Sequence, residues 1–246
     1  MKKSNYSYIG ISFIILVFGI YFIPKIMDRI NHDDITRDES RTDYVKGKKA
    51  TPSDLAYIEI NGKKKKVPHF SFVNQDGKTI TDKDYEGKVY VIEFFFTTCP
   101  TICPRMNTNL VKIQNEFIGN DDFGVASFTI NPEHDTPEVL KEYAQKYGVT
   151  NPNWNLMTGN QEDIYKLANE GFNLYTAQDS TVVGGFEHSG NVALIDKKGF
   201  IRSRVVGGNP IIFYNGMISE AEQVDETGME QEITMLKEDI AKLLKE

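Results

Sequence analysis

Residues 89–106 read VYVIEFFFTTCPTICPRM, and the fold turns on them. The first eight, Val89 to Phe96, are nearly all apolar and β-prone, the composition of a strand buried on both faces. Two threonines, a cysteine and a proline break that run, and Cys99 and Cys103 then stand four positions apart. From about Arg105 to Phe117 the apolar residues Met106, Leu110, Ile113 and Phe117 recur at helical spacing. Strand, cysteine loop and helix form the opening of a βαβ unit. Glu93 is the single charge inside the strand, where a buried carboxylate is unusual.

Downstream, Phe123 to Ile130 reads as a second buried strand. Thr136-Pro137-Glu138 then opens a helix through about Tyr147, with proline in its first turn and Gly148 at its end. Gln161 to Asn169 is a further helix. Asn191 to Asp196 and Phe200 to Val206, joined at Lys198-Gly199, form an antiparallel hairpin, and the last 20 or so residues close the chain as an amphipathic helix. Upstream, Leu55 to Ile60 reads as a strand before the Asn61-Gly62 turn, and Pro68–Val73 pairs with Lys78–Ile80 across Asp76-Gly77. Lys63 to Lys66 form a solvated hairpin flank, and Trp154 belongs to the core. Gly207 to about Glu230 shows no regular pattern. A βαβ half with parallel strands, followed by a β-hairpin and a closing helix, is the thioredoxin-like arrangement within the α/β class.

The N-terminus has a different character. After Met1-Lys2-Lys3, residues 6–23 (YSYIGISFIILVFGIYFI) carry no charge and are long enough to cross a bilayer as a helix. The run ends in Tyr21-Phe22-Ile23-Pro24-Lys25, without the small residues of a signal-peptidase site, so it reads as an uncleaved anchor. No cysteine follows it to carry a lipid. The expected organisation is a membrane anchor over 1–24, a polar tether over 25–54 and the thioredoxin-like domain over 55–246. Lys25, Arg29, Arg37 and Arg41 follow the span against two lysines before it, so flanking charge does not by itself fix the orientation. The 246 residues are 40% hydrophobic with a formal charge of −7, which argues against disorder and against a phosphate-backbone partner; nucleic acid is excluded as an expectation.

Only two cysteines occur, both in one motif, so their chemistry explains them better than a disulfide framework does. At a strand-to-helix turn, C-x-x-x-C sets two sulfurs about one helical turn apart. The free N–H groups and positive end of the helix favour thiolate. Adjacent thiolates repel, which a disulfide or a soft cation relieves. A Cys/Cys/His set suits copper in either oxidation state, whereas tetrahedral zinc wants a further ligand or water. The histidines are His32, His69, His134 and His188. His32 lies in the tether and His69 before the βαβ core; His134, in the NPEHDTPE loop, is read as an exposed loop residue. His188 immediately precedes a strand expected to neighbour the cysteine loop. Thioredoxin-like redox proteins place a cis-proline there, but Ser189-Gly190-Asn191 contains none.

FFFTTCPTICPRM (94–106), TINPEHDTPEVLKEYAQKYG (129–148), WNLMTG (154–159) and EHSGNVALIDKKG (187–199), in that order, resemble the Sco (SenC) family of copper-binding cytochrome c oxidase assembly factors. The resemblance covers roughly residues 68–206, and the closing helix also fits. It implies a single-span protein whose domain lies outside the cytoplasm, on the periplasmic side in a bacterium. It implies copper, as Cu(I) or Cu(II), held by Cys99, Cys103 and His188. The implied partner is cytochrome c oxidase subunit II or a similar copper acceptor, whose binuclear site the protein loads or keeps reduced. Two residues depart from the family pattern: Asn131 stands where aspartate is usual in the S-x-D-P-x-x-D-T stretch, and Glu187 replaces the aspartate that commonly precedes the histidine. The Gly207–Glu230 stretch is also longer than usual. A metallochaperone is the leading expectation. The alternatives are a thiol–disulfide reductase, with Cys99 as catalytic nucleophile and Cys103 as resolving thiol, and a thiol peroxidase, whose usual layout this cysteine pair does not match.

Overall fold

The computed structural model describes Leu16, Phe18 and residues 55–179, 181–182 and 184–246. The expected membrane span and tether therefore lie outside the described residues, apart from Leu16 and Phe18, which are helical and exposed. Among the described residues no helix is long and apolar enough to cross a membrane. Met1–Thr51 and Pro52–Glu246 form two separate units, and every described strand belongs to the second.

The first strands of that unit are short: β1 (Leu55–Tyr57), then β2 (Glu59–Ile60) and β3 (Lys63–Lys64), which turn at Asn61 and Gly62. Both turn residues have positive φ, as a tight hairpin of this kind requires. The second hairpin pairs β4 (Ser71–Asn74) with β5 (Thr79–Thr81). The apolar run becomes β6 (Val89–Phe95), buried at every position. Helix α1 (Ile102–Glu116) crosses over to β7 (Phe123–Thr129), parallel to β6 and in register from Val89↔Phe123 to Phe95↔Thr129. Helix α2 (Pro137–Tyr147) leads to a third parallel strand, β8 (Trp154–Thr158). Next come α3 (Gln161–Lys166), widened into a π-helical turn over Leu167–Phe172, and a small hairpin of β9 (Thr176–Gln178) and β10 (Phe186–His188). Strands β11 (Asn191–Ile195) and β12 (Ile201–Val206), the short β13 (Asn209–Pro210) and β14 (Tyr214–Asn215), and helix α4 (Ile233–Lys245) complete the unit.

The main sheet runs β1-β12-β11-β6-β7-β8-β4-β5. Parallel β6, β7 and β8 form its centre, where burial on both faces selects the apolar runs seen in the sequence. Phe128, fully buried on β7, meets the rings of Phe70, Phe72 and Phe94 at centroid distances of 5.1, 5.6 and 5.4 Å. Helix α2 starts as the sequence requires: the Thr136 hydroxyl accepts from Val139 N–H, Pro137 occupies the first turn, and Gly148 ends the helix at φ 77°.

Three expectations change in detail. Helix α1 starts at Ile102 rather than Arg105, so Cys103 and Pro104 sit in its first turn, where proline's missing N–H would have had no intrahelical partner. The 161–169 helix loosens into its π turn, which continues to Phe172 and packs Gly171 against Pro68. The irregular 207–230 stretch supplies β13 and β14, edge pairings too short for periodicity to reveal.

Because the Phe128 ring is fully buried among three other rings, Phe128→Ala should cost about 3–5 kcal/mol in equilibrium denaturation of the domain.

Candidate metal centre

Sheet direction brings the site together. The loops leaving β6 and β7 emerge at the C-terminal edge of the parallel strands, where α/β sheets place their functional groups. Strand β11 runs antiparallel to β6 with Ala193 opposite Ile92. Its N-terminal approach, through Ser189 and His188, therefore reaches the level of Phe96 and the cysteine loop. The His188 ring meets the Phe96 ring edge-on at 5.7 Å, and Phe186 packs on the same phenylalanine at 5.2 Å.

The three expected residues converge. One donor atom from each of Cys99, Cys103 and His188 can be chosen so that all three lie within 4.8 Å of one another. Cys103 Sγ is 3.1 Å from His188 Nε2, and Cys103 N–H points at Cys99 Sγ at 3.5 Å. Cys103 is fully buried, while Cys99 and His188 retain 7% and 9% exposure, so the cluster has a narrow outlet. Both cysteines are free thiols. His188 Nδ1 lies 3.1 Å from the Ser189 carbonyl, which can only accept, so Nδ1 carries a proton and Nε2 is the ring nitrogen turned to the sulfurs. Metal–sulfur and metal–imidazole bonds of roughly 2.3 and 2.0 Å place trigonal ligands roughly 3.7–4 Å apart. The cluster fits a metal ion with little movement.

The two sulfurs differ electrostatically. Cys99 is pulled down to about 3, first by its hydrogen bond with the Cys103 side chain, then by His188 and the N–H groups of Cys103 and Thr101, against the opposing effect of burial. Burial pushes the Cys103 thiol well above its ordinary value, and the neighbouring Cys99 adds to the rise. The resting pair is thus one thiolate and one thiol.

The other histidines lie elsewhere. His69 pairs with Asp82 at 2.5 Å on the surface, and His32 is outside the described residues. His134 is half exposed, as expected of a loop residue, with Nδ1 2.8 Å from Asp135. Met106 is fully buried core. Several polar supports could not be read from the sequence. Asn107 Nδ2 donates to the Cys103 carbonyl and to Tyr143 Oη, both at 3.0 Å. The 207–230 stretch clasps the site from outside. Asn109 Nδ2 donates to the Gly216 carbonyl at 3.0 Å, Gly216 N–H donates to the Gly190 carbonyl at 2.8 Å, and Met217 lies directly against Gly190. No local pattern announces such pairings, since each joins residues distant in sequence.

Glu93, the lone charge of its strand, is fully buried. Ser127 Oγ donates to Glu93 Oε1 at 2.6 Å and itself accepts from Trp154 Nε1 at 2.9 Å, while Glu93 Oε2 has no partner among the described residues. Burial raises the Glu93 carboxyl to about 7, with the Ser127 hydrogen bond pulling the other way.

A parallel βαβ half whose crossover helix starts at a cysteine pair, with a late hairpin returning a histidine beside it, defines a thioredoxin-like domain carrying a buried Cys–Cys–His cluster. The SCO1/SenC family profile matches residues 58–219, well over half of the chain, and the chain belongs to that family. It is 37% identical over 108 residues to the SCO1 protein homolog of Bacillus subtilis (strain 168), covering 43% of this chain and 56% of that relative's length. It is 24% identical over 155 residues to a putative copper-binding protein of Stutzerimonas stutzeri, covering 62% and 74%. Among solved structures it is similar to BsSco, a member of the Sco family of cytochrome c oxidase assembly proteins in which a disulfide switch was identified. That likeness has a TM-score of 0.58 at 25% identity and covers 73% of this chain and 94% of the other.

Folding keeps a proton on Glu93 between its unfolded value near 4.3 and about 7, so this group's contribution to stability falls as pH rises through that window. Glu93→Gln should flatten the change in stability between pH 5 and 8, removing a penalty on the order of 2–3 kcal/mol at the alkaline end, as read from denaturant midpoints.

Proposed function

We propose that this chain handles copper as cargo, binding one ion through Cys99, Cys103 and His188 and loading or maturing the binuclear copper site of cytochrome c oxidase subunit II or a similar acceptor. The convergence of two sulfurs and an imidazole nitrogen in one buried cluster carries this reading. Two soft thiolates and an imidazole favour copper, and three donors leave an acceptor's ligand room to join before one of this chain's leaves. Family membership and the copper-binding name of a relative support the same conclusion. The apolar run over 6–23 supports a membrane anchor, with the domain outside the cytoplasm and, in a bacterium, facing the periplasm.

The chain's own groups define the proton chemistry of loading. Cys99 is already a thiolate, and Cys103 must give up its proton. Binding of Cu(I) to the reduced protein should therefore release about one proton at neutral pH, and affinity should rise about tenfold per pH unit. Calorimetry in buffers of different ionisation enthalpy reads the proton count; release of two or of none would contradict this assignment of charge. His188→Ala should weaken Cu(I) binding at least 100-fold in competition with a chromophoric chelator, and binding as tight as wild type would refute the ligand set.

A second reading rests on the same asymmetry of the sulfurs. A thiolate at the outlet and a protonated thiol behind it match the division between attacking and resolving thiols in disulfide reduction. In that reaction Cys99 attacks a substrate disulfide, and Cys103 then loses its proton and displaces the reduced substrate. The oxidised pair must be reduced by an external dithiol. This activity needs no imidazole ligand, so reduction of a model disulfide peptide that survives in His188→Ala would favour it.

A further inference from the structure

Asp135 has no exposed surface, yet it is an acid at the turn between β7 and α2. Four donors converge on its carboxylate. Thr97 contributes two, its backbone N–H to Oδ2 at 3.0 Å and its hydroxyl to Oδ1. The Thr129 hydroxyl donates to Oδ2, and His134 Nδ1 lies 2.8 Å from Oδ1. A buried carboxylate is tolerated only where its lone pairs are met in this way.

What Asp135 holds matters more than how it is held. Cys99 N–H donates to the Phe96 carbonyl at 3.2 Å, so Phe96 to Cys99 is a four-residue turn with Thr97 and Thr98 at its centre. Thr97 is the central residue gripped by both its backbone and its side chain. The direction in which this turn delivers Cys99 is therefore set from β7, across the gap between the two parallel strands. On the far side, Cys103 N–H donates to Cys99 Sγ at 3.5 Å, an ordinary length for a sulfur acceptor, so the sulfur is held from the helix as well as through the turn.

We propose that Asp135 is a positioning residue for Cys99: through Thr97 it fixes the Phe96–Cys99 turn so that the sulfur faces Cys103 and His188 before any ion arrives. The proposal rests on the metal-binding reading for its affinity consequence, but its geometric content concerns the turn alone. Partners of this kind, one shell beyond the ligands, typically change metal affinity by 10–100-fold when removed. His134 shares the carboxylate and lies 3.4 Å from the Thr97 hydroxyl, a contact longer than those Asp135 makes to that threonine, and it touches no cysteine, so its removal should leave Cys99 in place.

The test uses the reduced full-length chain with Asp135→Asn, Thr97→Val, their double mutant, Thr97→Ser and His134→Phe. Two quantities are read well below each variant's Tm: Cu(I) affinity by chelator competition, and the rate of Cys99 alkylation by iodoacetamide, followed by mass spectrometry. Asp135→Asn and Thr97→Val should each weaken Cu(I) binding about 10–100-fold and shift the alkylation rate several-fold. The double mutant should do no worse than the weaker-binding single, because the two act in series. Thr97→Ser and His134→Phe should stay within about twofold of wild type. A merely structural carboxylate would lower Tm and leave both readouts unchanged, and that result in Thr97→Val alone overturns the proposal even if Asp135→Asn does not fold. If His188→Ala bound Cu(I) like wild type, the metal reading would fail instead, and the alkylation rates, which need no metal, would still decide the role of Asp135.

Discussion

Strand β6 hydrogen-bonds to parallel β7 on one side and antiparallel β11 on the other, and every other feature of the site depends on that pairing. A parallel neighbour puts the loops after β6 and β7 on one edge of the sheet. An antiparallel neighbour brings the residues just before β11 to the same edge. The cysteine loop, the Asp135 turn and His188 thereby meet, although Cys103 and His188 lie 85 residues apart. The register is held firmly because β6 is buried at every position. A slip of one residue would send Phe95 and Phe94 to the wrong faces and leave backbone groups unpaired in the core.

On that frame the protein places more polar chemistry indoors than its apolar strands suggest. Asp135, Glu93, Ser127, Asn107 and Asn109 are all buried near the edge or beneath it. Their hydrogen bonds to backbone groups and to neighbouring side chains limit the cost of desolvation. Glu93 Oε2 and the side-chain oxygens of Asn107 and Asn109 have no partner among the described residues, and burial suppresses the acidity of Glu93. The cysteines divide the same physics unequally. The sulfur that receives hydrogen bonds ionises, and the sulfur enclosed by the core keeps its proton.

The 207–230 stretch acts as an outer clasp. It joins α1, through Asn109, to the backbone just past His188, through Gly190. Gly190 makes room for the clasp: a Cβ there would lie 2.4 Å from the Met217 side chain, which would have to move. The surface pair Arg105–Glu222 adds little by itself, being exposed to water on both sides. The buried Asn109 bond and the strand pairing of β14 with β11 hold the clasp in place.

The sequence by itself determined the α/β class, the hairpins at Asn61-Gly62, Asp76-Gly77 and Lys198-Gly199, the parallel strands β6 and β7 with the helices that come after them, and the closing helix. Burial on two faces, helical spacing, the Thr136–Pro137 start and glycine turns are local properties, written in consecutive residues. It also pointed to Cys99, Cys103 and His188, the cysteines by their spacing and the histidine chiefly through the family resemblance, its place before a strand being only consistent with it. Strand β8 shows in the sequence only as the motif WNLMTG, since five buried residues between two other strands carry no period to read. The Thr97–Asp135 anchor, the Ser127–Glu93 bond and the Asn109–Gly216 clasp were decided only by tertiary structure. Each joins side chains whose neighbourhood exists only after the sheet has closed, and a hydrogen bond between distant residues leaves no mark on either local sequence.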